Sequence, residues 1–464
     1  MWFHIISLVT PADALSLSAV CKEARPFARR RSLSEIHLHS RNFDKICDFL
    51  LADTSDRLHW VRDLTLAGDI FGSETSLYQY DLKDGDNIKF EWVPVFLEIL
   101  QLAHNLRRLS LSGTEVLLKM EPAIGDAFVA LPELTSLELN HAGSHTIRML
   151  SRLQSTVRHL IVHHDTASDT GRTFYEYLTH GVTFPGVETI EFGDLDSEPY
   201  PLTTKLYLDR QWPDVRHLTL SQTSLTPMST CARLFSGIRS LYLKYAIGYD
   251  PRTPPLWPSL DFVRVYHLKL REESSEYEHP PRILKAIRKP SPVVLSIRAR
   301  VPLNNMNFWI ALLECAPRLR CLDFIVIYDD TGKDRLCKWI EDISDVFASS
   351  RLLCIRIRIH DRFCKLSDIH FLLPSLEHFA RGPGPAAFVG RRVSTCEDGR
   401  SIEAISHESG KHILAAIRSA DFGDGKNLDG LVSVRRGKEV EAMSDGYYAH
   451  EHDMSGVIHT RPVV

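Results

Sequence analysis

The sequence has no Cys-x-x-Cys pair, no Asn-x-Ser/Thr sequon and no apolar run approaching the roughly 20 residues a membrane-spanning helix needs. It also has no excess of charge of one sign. Over 464 residues, 55 Lys+Arg stand against 59 Asp+Glu, a formal net charge of −4. Each absence excludes a class. Nine scattered cysteines (Cys21, Cys47, Cys231, Cys315, Cys321, Cys337, Cys354, Cys364 and Cys396) do not make a disulfide scaffold or a zinc knuckle. With the missing sequons they point to a reducing compartment, cytoplasmic or nuclear. Balanced charge supplies no general attraction to nucleic acid or to an anionic membrane, so neither is expected as a partner. A secretory leader is not expected either. Met1 to Val9 is apolar and Leu17-Ser18-Ala19 would suit a cleavage site, yet no cation precedes the stretch, and Pro11 and Asp13 interrupt it.

Catalytic motifs are missing as well. There is no Gly-x-Ser-x-Gly elbow. Gly410-Lys411 lacks the upstream glycine of a phosphate loop, Gly425-Lys426 lacks the following Ser/Thr too, and Gly382-x-Gly384 follows no strand of a βαβ unit. His163-His164-Asp165 and His450-x-His452-Asp453 have the composition of metal ligands but no residues nearby to complete a set. Neighbouring histidines on a strand face opposite ways, so these are read as surface polar residues. No enzyme activity, cofactor or metal is expected.

What is present is a 44% hydrophobic, 25% charged composition that suits a folded chain with a large core; the length alone would allow about three domains. The first thirty residues read as short helices. Trp2, Ile5, Ile6 and Leu8 are spaced for one helical face, and Thr10-Pro11 breaks it. Thr10 is also placed as an N-cap, with Pro11 at the first helical position and Asp13 in the first turn. Leu15, Leu17, Val20 and Cys21 continue the apolar set, and Lys22, Arg25 and Arg29-Arg30-Arg31 form a basic exit.

The stretch Trp2-Phe3-His4-Ile5-Ile6-Ser7-Leu8, then Pro11 to Leu17, then Val20-Cys21-Lys22 resembles an F-box, and Arg29 to Leu38 resembles the junction of fungal F-box proteins. The resemblance covers about the first 40 residues and lacks the family's opening Leu-Pro pair, so the module reads as N-terminally truncated. It implies docking onto the Skp-type adaptor of a cullin-based SCF ubiquitin ligase. Trp2, Ile5, Ile6, Leu8, Pro11, Leu15, Leu17, Val20, Cys21 and Lys22 are then the adaptor-binding residues. The same apolar residues would serve equally as the internal core of a small helical module.

A pattern apolar-x-x-apolar-x-apolar follows. It recurs at Val61/Leu64/Leu66, Leu106/Leu109/Leu111, Leu134/Leu137/Leu139, Val157/Leu160/Val162 and Val187/Ile190/Phe192. Further copies stand at Val215/Leu218/Leu220, Ile238/Leu241/Leu243, Leu260/Val263/Val265, Leu319/Leu322/Phe324 and Leu352/Ile355/Ile357, with a weaker one at Leu295/Ile297. Proline after a bulky residue precedes several, as at Leu131-Pro132, Phe184-Pro185, Trp212-Pro213, Trp257-Pro258 and Leu373-Pro374. A spacing of mostly about 22–33 residues matches the leucine-rich-repeat signature. A longer first interval leaves room for a loop near Ser73 to Asp86. Helical segments are expected at Val95–Leu100 and Phe308–Leu313.

The expected fold is α/β: residues 1–31 an F-box-like helical module, 32–380 a leucine-rich-repeat-type solenoid curved as a horseshoe, and 381–464 a cap and disordered tail. Within the last part, a helix is expected near His412 to Arg418, a strand near Leu431 to Val434, and disorder past Ser444. Outward strand positions run from Arg108, Ser110 and Ser112 through Glu138, His159, His163, Glu191 and His217 to Asp323. Late in the array they include Tyr242, Lys244, Phe262, Arg264, Tyr266, Arg298, Arg356 and Arg358. Tyr and Arg dominate protein interface hot spots, and clustered Arg suits carboxylates and phosphates. These eight are therefore the expected target-binding residues on a concave face, for an unidentified target with an acidic or phosphorylated segment. Reversing charge at Arg264 and Arg358 is expected to abolish capture without unfolding the chain. The expected function is substrate recognition in an SCF-type ligase; the alternative is a leucine-rich-repeat scaffold without ligase association.

Overall fold

The computed structural model describes residues 2–54, 56–71, 91–164, 186–193, 212, 214–221, 234–244, 257, 260–268, 284, 287–288, 291–300, 306–328, 333–348, 350, 352, 354–361, 387–388, 394–396 and 399–402. They fall into two compact units, one of Met1–His267 with Ser275–Ser291, the other of Leu268–Ser274 with Pro292–Val464.

In the first unit the strands are β1 (Glu35–Leu38), β2 (Asp63–Leu66), β3 (Arg108–Leu111), β4 (Ser136–Ala142) and β5 (His159–His164). They continue as β6 (Thr189–Gly193), β7 (His217–Ser221), β8 (Ser240–Lys244) and β9 (Phe262–Leu268). Each pairs parallel with the next in chain order. The register follows the apolar pattern. One buried row is Leu64, Leu109, Leu137, Leu160, Ile190, Leu218, Leu241 and Val263; the next is Leu66, Leu111, Leu139, Val162, Phe192, Leu220, Leu243 and Val265. A one-residue slip would turn every one of these to the other face, which is why the register holds.

The residue before each strand adds a second lock. The Arg107 carbonyl accepts from both Thr135 N (2.8 Å) and Ser136 N (2.9 Å), and the Arg216 carbonyl accepts from Arg239 N (2.8 Å) and Ser240 N (3.0 Å). The same fork recurs at Ser34, Arg62, Thr135, Arg158, Glu188 and Arg239. The bulky residues ahead of prolines anchor the sheet from beneath. Leu131, Trp212 and Trp257 are buried, and Trp257 Nε1 donates to the Phe235 carbonyl at 2.9 Å.

Helices occupy the described crossovers: α4 (Phe43–Leu51) between β1 and β2, α5 (Val93–Leu102) between β2 and β3, α6 (Thr114–Met120) and α7 (Pro122–Val129) between β3 and β4, and α8 (Ser144–Leu150) between β4 and β5. In the second unit β10 (Val294–Arg300), β11 (Cys321–Tyr328) and β12 (Cys354–Asp361) are parallel, with β13 (Ala387–Phe388) parallel to β12. β15 (Gly399–Ile402) runs antiparallel to β12 and to β14 (Ser394–Cys396). The crossovers carry α9 (Met306–Cys315) and α10 (Lys333–Ala348). α10 buries Leu336, Trp339, Ile340, Ile343 and Phe347, one stripe at helical spacing, against Trp309 and Phe324.

Two fold expectations are corrected. The architecture is a parallel α/β sheet with helices in its crossovers, not a leucine-rich-repeat solenoid or horseshoe. The strand pattern specifies buried rows and register, but the segments between strands are unequal: one crossover holds two helices, its neighbours one or a helix with a 3-10 turn. The N-terminal segment has three short helices, α1 (Trp2–Ser7), α2 (Pro11–Val20) and α3 (Arg25–Ser32), but it is not a clear F-box-like module. The inner positions of α2 are Ala14 and Ser18, and of its larger apolar side chains only Leu17 packs against the core, while Leu15 and Val20 stand exposed. What is buried there is small: Ile6, Ala24 and Ala28, with Trp2, Val9, Leu17, Cys21 and Phe27 partly covered against them. The expected loop at Ser73 to Asp86, the helix near His412, the strand near Leu431 and the tail lie outside the described residues.

Candidate functional site

The N-terminal helices are set by local chemistry. Thr10 caps α2 as its position predicts: its Oγ1 accepts from Asp13 N at 3.1 Å and donates to Asp13 Oδ2 at 2.7 Å, with Pro11 at the first turn. Arg31 ties α3 back to the link between α1 and α2 through its Nε, which donates to the Val9 carbonyl at 3.1 Å. The structure divides the expected adaptor-binding residues. Ile6 is buried, and Trp2, Pro11, Leu17 and Cys21 are half-buried. Ile5 (44% exposed), Leu8 (87%), Leu15 (60%) and Val20 (81%) project into solvent, as does Lys22. Among the described residues only Phe49, Leu102 and Ile310 are comparably exposed large hydrophobics.

The opposite, non-core face of the first sheet carries a row of Thr65, Ser110, Glu138, Ile161, Glu191, Thr219, Tyr242 and Arg264, in register from β2 to β9. The next row includes His163, Gly193, Ser221, Lys244 and Tyr266. This face is not a uniformly solvated lining. Glu191 is buried and paired with both Lys244 (Nζ–Oε1 3.5 Å) and His163 (Nε2–Oε1 3.7 Å). Burial pushes its pKa up, but His163 and Lys244 pull harder, and the carboxyl lies below its ordinary value. The His163 ring rests on Gly193, where a Cβ would stand 2.7 Å from His163 Nδ1. His164, on the other face, is buried, so this pair is not the surface dyad its polarity suggested. His217, two strands from His159 in one row, is held below the ordinary histidine pKa by burial and then by His159.

Of the expected target-binding residues, Tyr242, Lys244, Phe262 and Arg264 come together on β8 and β9. The Arg264 guanidinium stacks over Tyr242, 4.8 Å from the ring centroid. Arg264 is only 5% exposed; it is a packed part of the sheet rather than a solvent-facing cation. A Glu at this position would therefore test folding as well as binding. The Tyr266 backbone pairs with Lys244. Arg298, Arg356 and Arg358 belong to the other unit, where Arg358 pairs in register with Ile325, itself opposite Arg298, and Arg356 pairs with Asp323. Asp323 is buried and accepts from Ser296 Oγ at 3.0 Å.

One residue that sequence reasoning passed over organises the first unit. Glu115, on α6, crosses to the start of α8 and accepts from Thr146 N (3.0 Å), His145 N (2.9 Å) and Thr146 Oγ1 (3.0 Å). It meets the orphan amides of that helix with a carboxylate where the dipole is positive. Burial raises its pKa, yet the His145 and Thr146 backbone bonds outweigh this and hold the carboxyl low. Gly143 makes room, since a Cβ there would lie 2.5 Å from Glu115 Cδ. No local motif reveals this cap, because acceptor and helix are about 30 residues apart.

Among the described residues no three His, Cys, Asp or Glu groups converge as metal ligands, and no helix is long and apolar enough to cross a membrane. No protein-family model and no curated protein matches the chain.

Proposed function

We propose that this chain is the substrate-recognition subunit of an SCF-type ubiquitin ligase, holding a Skp-type adaptor on its N-terminal helices and a target protein on the polar face of its sheet. One observation carries the reading: Ile5, Leu8, Leu15 and Val20, four large apolar side chains within twenty residues, stand in solvent. Apolar groups concentrated in this way mark a protein-binding surface. The F-box resemblance of the same residues supports the choice of partner. The reading does not require a preformed module, only these exposed side chains.

On the target side, Tyr242 and Phe262 offer half-buried aromatic surface beside Lys244, which suits an acidic or phosphorylated segment. The chain makes and breaks no bonds and needs no cofactor. Its contribution is to hold target lysines at high effective concentration near a ubiquitin-loaded enzyme, in the cytoplasm or nucleus.

The test is co-purification of the full chain with a Skp-type adaptor and its cullin, comparing wild type with Leu8→Asp/Leu15→Asp. Both positions are exposed, so the variant keeps its fold. Capture by wild type and loss in the variant is the expected result; absence of capture by wild type sinks the ligase reading.

A further inference from the structure

The pattern Arg-Arg or Arg-Lys, one further residue, then Ser occurs four times: Arg29-Arg30-Arg31-Ser32, Arg107-Arg108-Leu109-Ser110, Arg288-Lys289-Pro290-Ser291 and Arg391-Arg392-Val393-Ser394. Two cations at these offsets before a hydroxyl suit a protein kinase whose substrate groove is lined with carboxylates. The fold treats the four serines differently. Ser110 lies in β3, paired in register with Thr65 on one side and Glu138 on the other. Ser394 lies in β14 and pairs with Ser401. Ser291 is buried. Ser32 alone is neither in a strand nor buried.

Ser32 is the last residue of α3, and the turn that holds it is lightly built. Its Oγ donates to the Arg29 carbonyl at 2.8 Å, an exposed bond within one turn. The same carbonyl accepts from Leu33 N, and the Arg31 carbonyl accepts from Ser34 N, both at 3.1 Å. Beneath the helix only Ala28 is buried. A short helix end with so little under it opens at small cost, and opening supplies the extended backbone that a kinase cleft takes. Arg29 and Arg30 are exposed; the Arg30 guanidinium, 4.2 Å from the Trp60 ring centroid, leaves that ring to enter the groove.

We propose that Ser32 is a phosphorylation site for an arginine-directed serine kinase, and that the phosphate loosens the N-terminal helices. Ser32 Oγ attacks the γ-phosphorus of ATP. The new O–P bond forms as the bond to the β–γ bridging oxygen breaks, ADP leaves, and the hydroxyl proton passes to the catalytic carboxylate of the kinase. The product carries a charge of about −2 at the end of α3, where the helix dipole is already negative. Its neighbour Arg31 fastens this junction. Arg31 Nε donates to the Val9 carbonyl at 3.1 Å, and Nη1 donates to Ser34 Oγ at 2.7 Å and to Glu35 Oε1 at 2.5 Å. A phosphate one residue away competes with Glu35 and the Val9 carbonyl for that guanidinium. The proposal does not depend on the ligase reading.

In the experiment the full chain is incubated with Mg·ATP and the catalytic subunit of cyclic-AMP-dependent protein kinase. Phosphate is mapped by mass spectrometry, and backbone hydrogen exchange is compared before and after. Wild type is set beside Ser32→Ala and Arg29→Gln; Arg29 is exposed, so its variant keeps the fold. Phosphate is expected on Ser32 and absent from that position in Ser32→Ala, with the initial rate about ten-fold lower in Arg29→Gln. Exchange over α1 to α3 is expected to quicken several-fold after modification. In a digest cut after glutamate, where the sheet no longer holds Ser110, that serine is expected to be modified too. A folded chain modified at Ser110 or Ser394 but not at Ser32 overturns the proposal, as does a rate at Ser32 that ignores Arg29→Gln. Full modification of Ser32 with unchanged exchange overturns the loosening, and Ser110 left unmodified in the digest overturns the selection by the fold.

Discussion

At the residue scale, the buried carboxylates are the most informative groups. Glu115 accepts bonds from amides that would otherwise be orphaned, so Glu115→Ala is expected to cost about 2 kcal/mol, read as a lower urea midpoint. Because its folded pKa is depressed, its contribution is fully present above the unfolded carboxylate value, about 4.3, and is lost as pH falls through the lower folded value. Acid titration of stability should therefore show a steeper limb in wild type than in Glu115→Gln; identical limbs would remove Glu115 from the account. Gly193 tests the other polar cluster. A methyl group there must displace the His163 ring and loosen its pairing with Glu191, costing about 1–2 kcal/mol. Thermal unfolding of Gly193→Ala, set beside His163→Ala and the double variant, should show strong non-additivity if the glycine acts through the ring.

At the element scale, α9 and α10 of the second unit meet through aromatic rings. Trp309 lies 4.7 Å from Phe324 and 6.1 Å from Trp339, with Phe347 stacked on Phe324 at 6.0 Å. Removing the central ring leaves a cavity that neighbours on a strand and a longer helix cannot both close. Trp309→Ala should cost about 3–5 kcal/mol, whereas Ile310→Ala, on the exposed side of the same helix, should cost well under 1 kcal/mol. Equal losses in guanidinium melts would mean α9 does not pack as described. Both α9 and α5 contain the apolar runs that announce them in the sequence. α6, α7 and α8 are short and were not legible, because their stability comes from partners such as Glu115 rather than from their own periodicity.

At the scale of the whole molecule, the proposed target surface is tested by binding. Tyr242→Ala/Lys244→Ala should reduce capture of a target segment several-fold with the fold intact, since both side chains are half-exposed. Glu191→Gln should strengthen binding of an acidic or phosphorylated peptide, because it takes away the counter-charge 3.5 Å from Lys244. Weaker binding in Glu191→Gln, measured by peptide anisotropy, would argue that Glu191 positions Lys244 instead. Reversal at Arg264 is the poorer experiment: a buried guanidinium stacked on Tyr242 cannot be exchanged for a carboxylate without disturbing β8 and β9.

The sequence by itself determined the strands from β2 to β12. Alternation at Leu64/Leu66 through Ile355/Ile357 admits one apolar face and one register, and the parallel pairing follows it. It also determined the Thr10 cap, a contact between residues three apart. β1 escaped because Ile36 and Leu38 were read as part of the F-box junction. The tertiary structure alone decided what depends on residues far apart in the chain. It put sheet and uneven helices where even repeats were expected, buried Ile6 while leaving Leu8 and Val20 in solvent, and turned Arg264 and Glu191 from a groove lining into packed charges, the first stacked on Tyr242 and the second paired with His163 and Lys244. Periodicity encodes which face of an element is apolar; what lies against either face is a matter of long-range packing, which the local pattern does not carry.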